Sequence, residues 1–313
     1  KDNYLRVGTS YFKKSLYPTL SGDRIEILLP WSPELIRQDH GKNALSLVEI
    51  FDGFICFPEN RLEFYLKNHQ GYYNTYHSLS KNPIEGDITN TKKFITHIFG
   101  EQTEIGFDYL QLLYLKPTQI LPILCLVSKE RATGKSTFLK WLKEIFEYNL
   151  TYLTNDSFSS NFNADWASKL LICIDEVLFQ TEILTERIKY LSTTNVNKIE
   201  AKGKDRKEIE FFGKFILCSN NETSFIKIDA DEIRFWVRRI DSYEKEDVHF
   251  LSKLIKEIPA FLYFLSKRQL STENKSRMWF TPHQIKTKAL QKLVKFNCNK
   301  LESELAHVLI TTM

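Results

Sequence analysis

The sequence predicts an α/β protein with a central, mostly parallel five-stranded sheet flanked by helices, preceded by a mixed N-terminal region. Three observations carry this expectation. Beyond residue 119, apolar runs alternate with amphipathic stretches, the pattern of parallel strands joined by crossover helices. Gly134-Lys135-Ser136 directly follows one apolar run and opens an amphipathic stretch. A second run, KLLICIDE, ends in the adjacent acids Asp175 and Glu176.

Bulk properties bound the classes. At 313 residues the chain can bury one large core or two ordinary ones, and 42% hydrophobic with 26% charged residues is ordinary for a globular protein. A net charge of +4 is too small by itself to argue for nucleic acid. Lys267, Arg268, Lys275, Arg277, Lys286, Lys288, Lys292, Lys295 and Lys300 nevertheless form a block opposed only by Glu273. Such a block suits a phosphate backbone, and it suits a solvated helical face equally. Cys56, Cys125, Cys173, Cys218 and Cys298 show no metal-ligand or CxxC spacing, and three sit in apolar runs. That pattern fits a reducing compartment, so a cytoplasmic location is expected. The longest apolar runs are too short to span a bilayer, so no membrane partner is expected.

Taken in order, residues 1–87 form an α+β region of unknown role, rich in aromatics and in turn signals such as SGD, HGK and EGD. RIEILLPW and GFICFPENRLEFYL read as short strands and turns. The run YYNTYHS could stack bases, but burial habits favour a core or interface role. Residues 88–118 are a helical lead-in: KKFITHIFGEQTEIGFDYLQLLYL has helical apolar spacing, a break near Gly100 and an end at Pro117. Residues 119–243 are the core. Its expected strands are ILPILCLV, LTYLT, KLLICI, GKFILCS and RFWVRRI. Its helices include STFLKWLKEIF, with Phe138, Leu142 and Ile145 on one face, and ILTERIKYL. In residues 244–313, Leu251, Leu254, Ile258, Leu262 and Leu265 share a stripe despite Pro259. That stretch is expected to be a helical lid, or a linker into the basic C-terminal segment.

The chemistry starts at SKERATGKST. A Gly-Lys-Ser turn between strand and helix is the working end of a Walker A loop, whose backbone N–H groups and helix dipole face phosphates. Lys135 is placed to reach the β- and γ-phosphates of ATP, and the Ser136 hydroxyl to ligate Mg²⁺. Lys129, Ala132, Thr133, Gly134, Lys135, Ser136 and Thr137 are the expected ATP-binding residues. The full pattern has glycine where this chain has Lys129, which must avoid positive φ or bear its strain.

Forty residues after Lys135, Asp175 and Glu176 end an apolar strand, where charge is costly unless it has work. Asp175 suits holding Mg²⁺ through water, and Glu176 suits orienting and deprotonating an attacking water. The alternative is a strand end meeting solvent. GKFILCS runs on to Asn220, whose amide could bond that water or the γ-phosphate; the alternative is an Asx turn by Asn220-Asn221. Fourteen residues later comes Arg234, placed as an arginine that enters a neighbouring subunit's site. Arg238 and Arg239 compete for that role, and any of the three could instead pair with Asp229, Asp231 or Glu232. Between acids and amide, KIEAKGKDRKEIEFF reads as two short strands around Gly203, carrying Lys202, Lys204, Arg206 and Lys207. This hairpin could track DNA, or be a charged surface turn.

The order of phosphate loop, strand ending in Asp-Glu, basic hairpin, strand ending in Ser-Asn, and arginine before a strand resembles the superfamily 3 helicases. SKERATGKSTF and FNADWASKLLICIDE are most similar to the phage and mobile-element primase–helicase branch, and the resemblance spans about residues 91–241. It implies an AAA+-like P-loop NTPase fold, hexameric rings, Mg²⁺-dependent ATP hydrolysis between subunits and translocation on single-stranded DNA. It also implies a bacterial host cytoplasm and the possible company of a primase domain or protein. By matching motif, Lys135 and Ser136 bind nucleotide and metal, and Asp175 and Glu176 form the Walker B pair. Asn220 is the sensor, Arg234 the finger, and Lys202 and Lys204 fall in the DNA-contacting hairpin. The chain opens without Met and ends in apolar LAHVLITTM, as a piece of a longer protein would, so any primase is expected upstream. Two other functions stay open: an AAA+ initiator or remodeller without processive unwinding, and a DNA-binding adaptor with weak ATPase activity. The intact Lys135, Ser136, Asp175 and Glu176 count against the adaptor.

Overall fold

In a computed structural model of the chain, the described residues are 3–18, 24–179, 181–200, 207–229, 232–243 and 247–297. Lys1–Phe57 with Phe64–His77 make one compact unit, and Pro58–Glu63 with Ser78–Met313 make a second.

The first unit is mixed. Strands β1 (Tyr4–Val7), β2 (Ser10–Pro18) and β3 (Arg24–Trp31) form an antiparallel meander. Helix α1 (Pro33–His40) follows, capped by the Ser32 side chain, which accepts from Leu35 N at 3.2 Å. β4 (Glu49–Phe51) then adds parallel to β1. A small second sheet holds β5 (Gly53–Ile55), β6 (Asn68–His69) and β7 (Tyr72–Asn74) in the order β5-β7-β6. The aromatic run divides by face. Tyr73 and Tyr76 are in the core, while Tyr72 stays exposed.

The second unit opens with α2 (Thr89–Phe99) and α3 (Thr103–Leu115), parted where expected by Gly100 at φ +52°. Then come β8 (Ile123–Val127), α4 (Lys135–Phe146), β9 (Leu150–Leu153), α5 (Asn155–Ser159), β10 (Leu171–Ile174) and α6 (Glu182–Leu191). A hairpin of β11 (Val196–Ile199) and β12 (Lys207–Glu210) precedes β13 (Lys214–Ser219), β14 (Phe235–Arg239), α7 (Phe250–Lys267) and the short α8 (Pro282–Ile285). The five expected strands form one sheet, in the order β14-β8-β13-β10-β9, and every pairing in it is parallel. All residues of β8, β10 and β13 are buried, which is why these runs are continuously apolar instead of alternating, apart from Lys214 and Ser219 at the two ends of β13.

The helices cover the sheet as their spacing predicts. Phe138, Leu142 and Ile145 of α4 are buried together with Trp141. Along α7, Leu254, Ile258, Leu262 and Leu265 are buried although Pro259 sits inside the helix, and the Pro259 carbonyl accepts from Ile84 N at 3.1 Å. This helix packs against α2, α3 and α4.

The basic block is not one continuous face. Asp108, fully buried, pairs with Arg268 and accepts from Ser271 N at 3.0 Å and Thr272 N at 2.7 Å. Lys292 pairs with Glu222 at 2.6 Å and Lys275 with Glu273 at 3.4 Å. Lys300 lies outside the described residues. Among the described residues, no helix is long and apolar enough to cross a membrane.

Candidate active site

Because β8, β13 and β10 are adjacent and parallel, their C-terminal ends lie along one rim of the sheet, and three sequence motifs meet there. The phosphate loop leaves β8 at Val127 and enters α4 at Lys135. Gly134 takes φ +90°, and a Cβ on it would lie 3.2 Å from the Tyr243 ring and 3.3 Å from the Phe94 ring. Conformation and space both demand glycine there. The loop's other left-handed residue is Ala132 at φ +53°. Lys129, standing where the usual pattern has glycine, is not left-handed, so its side chain imposes no backbone strain.

The loop is tied down from three sides. Ser128 N donates to Ser219 O at 3.2 Å, and Ser128 Oγ donates to Glu130 O at 2.8 Å. Nε2 of His97, on α2, bonds the Thr133 carbonyl at 3.0 Å, which requires the Nε2–H form. The His97 ring stacks on Tyr243 at 3.9 Å between centroids, and Tyr243 N donates to Ala132 O at 3.4 Å.

The Lys135 side chain is tucked into the loop, and the residue is only 7% exposed. Its ammonium donates to Ser128 Oγ and, at 3.3 Å, to Thr133 Oγ1. Burial lowers its pKa below the usual lysine value, with Asp175 pulling the other way. A desolvated cation held by two neutral hydroxyls is primed for a stronger anionic partner.

The cleft above the loop has a volume of about 310 Å³ and is lined by residues 131–137 with Asp175, Glu176 and Asn220. Ser136 Oγ donates to Asp175 Oδ2 at 3.3 Å, bringing the two expected metal-side oxygens together. Asp175 Oδ1 accepts from Glu176 N at 3.0 Å. Glu176 has φ +55°, an uncommon conformation for a residue bearing a Cβ. Asn155, at the start of α5, holds that turn from outside: Nδ2 donates to Glu176 O at 3.2 Å, and Oδ1 accepts from Leu178 N at 3.1 Å. Ser219 Oγ braces the same turn by donating to Val177 O at 3.1 Å.

The Asx-turn alternative resolves onto the second asparagine. Asn221 Oδ1 accepts from Thr223 N at 3.0 Å and Ser224 N at 2.8 Å, while Nδ2 donates to Ser224 Oγ at 2.6 Å. Asn220 lines the cleft.

Other expected site residues lie elsewhere. Lys129 is exposed and does not line the cleft. Arg234 is at the opposite, N-terminal rim of the sheet, just before β14, where its carbonyl accepts from Ile123 N at 2.8 Å and its guanidinium pairs with Glu232 at 2.9 Å. Arg238 and Arg239 are at the cleft-side edge, paired respectively with Glu101 at 2.7 Å and with Glu222 and Asp241, each at 3.2 Å. Lys207, the first residue of β12, is exposed on the hairpin. Lys202, Lys204 and Arg206 lie outside the described residues. The sequence reading passed over Arg131, which lines the cleft from inside the same loop and needed only its position to be noticed. His97, Tyr243 and Asn155 went unnoticed as well, being 36, 111 and 21 residues from the main-chain groups they hold. Nothing in local sequence marks them.

Residues 126–239 match the model of a family of unknown function, DUF5906. No curated protein matches the sequence. Among solved structures, the apo structure of the NrS-1 C-terminal region (305–718) superposes with a TM-score of 0.72 at 16% identity, covering 94% of this chain and 71% of that one. An A-form apo structure of the same region gives 0.71 at 18% identity, covering 94% and 72%. The chain therefore shares the fold of that region.

Proposed function

We propose that this chain is an ATP-dependent replicative DNA helicase motor of the superfamily 3 type. In this reading it hydrolyses ATP between subunits of a ring, hexameric by the resemblance, to translocate on single-stranded DNA. The observation that carries the reading is the meeting of Lys135, Ser136, Asp175, Glu176 and Asn220 in one cleft at the C-terminal rim of a parallel sheet.

Each side chain then has a task its surroundings support. The loop's N–H groups and the start of α4 receive the phosphates. Lys135 exchanges two hydroxyl acceptors for β- and γ-phosphate oxygens, a trade favoured by its burial. Glu176, exposed on a braced turn, takes a proton from water, and Asn220 orients that water or the γ-phosphate. Ser136 Oγ and Asp175 Oδ2 form a hard-oxygen pair that fits Mg²⁺, which binds through few protein oxygens plus water and phosphate. Bound there, the ion would neutralise charge on the β- and γ-phosphates.

Arg234 cannot serve the cleft of its own chain, since it stands at the start of β14 and the length of that strand separates it from the cleft. A role in hydrolysis requires a neighbouring copy, and that supports Arg234 as the finger over Arg238 and Arg239.

Phosphate release with single-stranded DNA, alongside strand separation on a forked duplex, tests the proposal. Glu176→Gln should slow hydrolysis by about 10²–10⁴-fold while leaving nucleotide binding intact. Turnover indifferent to both Glu176→Gln and Lys135→Ala would overturn it.

A further inference from the structure

Two buried or half-buried asparagines, eight positions apart, each clasp a main-chain segment distant in sequence. Asn155 holds the Asp-Glu turn through Glu176 O and Leu178 N. Asn163, 5% exposed, holds the hairpin: Nδ2 donates to Lys198 O and Oδ1 accepts from Glu200 N, both at 2.8 Å. Its own N–H also donates to Glu200 O at 3.2 Å, so a single residue makes three bonds to the end of β11.

The segment between the two clasps is built to transmit displacement. Phe158 is fully buried and stacks on Phe179 at 5.1 Å, just past the Asp-Glu turn. Trp166, 1% exposed, anchors the far side. Arg187 of α6 lies over both rings, 5.2 Å from Phe158 and 5.9 Å from Trp166. It also donates to Ser159 O at 3.0 Å and Ser160 O at 2.8 Å. Both ends are bonded, Phe158 is locked by aromatic packing and Arg187 fixes the carbonyls of Ser159 and Ser160, so the stretch that can still give is the short exposed one through Phe162.

We infer that residues 155–163 form a strap tying the nucleotide-site acids to the base of the basic hairpin, and that Asn163 is the positioning residue through which DNA on the hairpin adjusts the hydrolysis rate. The inference deepens the motor reading and rests on it. Asn163 does not line the cleft, so its effect travels along the strap to the turn that carries Glu176, through Asn155 and the Phe158–Phe179 stack.

The test compares wild type with Asn163→Ala, Asn163→Asp and Asn155→Ala, each measured for phosphate release with and without an oligo(dT) strand. The Asn163 variants should keep DNA-free hydrolysis within about twofold of wild type, while the ratio of stimulated to basal rate falls to about 1. Asn155→Ala should lower the DNA-free rate as well, because it frees the Glu176 turn. Should Asn163→Ala fail to fold, Asn163→Asp decides: it keeps volume and the acceptor for Glu200 N, and sets a carboxylate oxygen against Lys198 O in place of the donor. Full stimulation in the Asn163 variants overturns the inference, as do stimulated and basal rates falling in proportion. Wild-type hydrolysis indifferent to DNA overturns it too, leaving the ATPase assignment standing. Wild-type hydrolysis no greater than that of Lys135→Ala removes the motor reading itself.

Discussion

Replacing Lys135 by methionine should separate stability from function at the same atom. In the nucleotide-free protein the ammonium is desolvated, and among the described residues its bonds are to Ser128 Oγ and Thr133 Oγ1. Losing two such charge-assisted hydrogen bonds costs about 1.5–3 kcal/mol each. Removing a buried charge returns several kcal/mol of desolvation, and methionine fills the same volume. The hydroxyls are not stranded, since Ser128 Oγ still donates to Glu130 O at 2.8 Å and lies 3.4 Å from Thr133 Oγ1. The two terms are of similar size, so the expected net change is within about 1 kcal/mol of zero. A lysine whose folded pKa is depressed binds fewer protons in the native state than in the unfolded chain. Stability therefore rises as pH climbs from the folded value toward 10.5, and the variant should lose that slope. Hydrolysis, by contrast, should fall by about 10²–10³-fold, the scale of one lost electrostatic contact to a transition state. Thermal unfolding across pH, paired with phosphate release, measures both. A variant destabilised by more than about 2 kcal/mol would make the ammonium a structural group and refute the reasoning, as would hydrolysis within about twofold of wild type.

Three further perturbations probe the surroundings. Gly134→Ala must adopt the left-handed conformation, at about 1–2 kcal/mol, while pressing on Tyr243 and Phe94; binding of a fluorescent ATP analogue should weaken by about tenfold. Unchanged affinity would mean that the loop does not receive phosphates. Asn221→Ala removes the three side-chain bonds of the turn that sets Asn220, so maximal hydrolysis should drop while urea unfolding loses about 1–2 kcal/mol. Activity surviving that loss would detach Asn220 from the chemistry. Lys214, buried at the start of β13, donates to the carbonyls of Pro117 and Phe212, and burial lowers its pKa to about 7. Between that value and 10.5 the unfolded chain holds the extra proton, so stability rises with pH. Lys214→Met should flatten the rise, and an unaltered pH profile would show the lysine to be ordinary.

The core was legible because its signals are local and redundant. The five runs read as strands are the five strands of the parallel sheet, since burial on both faces leaves uniform apolar stretches that admit few other readings. Their spatial order was not visible in the runs themselves. In the sheet β13 lies between β8 and β10 although both precede it in the chain, which sets Asn220 beside the acids. Gly100 marked its own break by its conformation, and the α7 stripe showed through Pro259. What stayed hidden depends on contacts distant in sequence. Ala132 and Glu176 adopt left-handed backbone without being glycine, held by partners such as Tyr243 and Asn155 that only the fold brings near. Asn163 looked like any polar residue before a strand until β11 came beside it. The basic block read as one face because Asp108 and Glu222, which neutralise Arg268 and Lys292, lie far from it in the chain.

The most direct measurement of the central claim is a crystal structure with Mg²⁺ and a slowly hydrolysed ATP analogue. The γ-phosphate should lie within hydrogen-bond reach of Lys135 Nζ and the Asn220 amide, with the metal on the Ser136 and Asp175 side and Glu176 facing the in-line water. A nucleotide bound outside this cleft, or one whose phosphates leave Lys135 on Ser128 and Thr133, would contradict it.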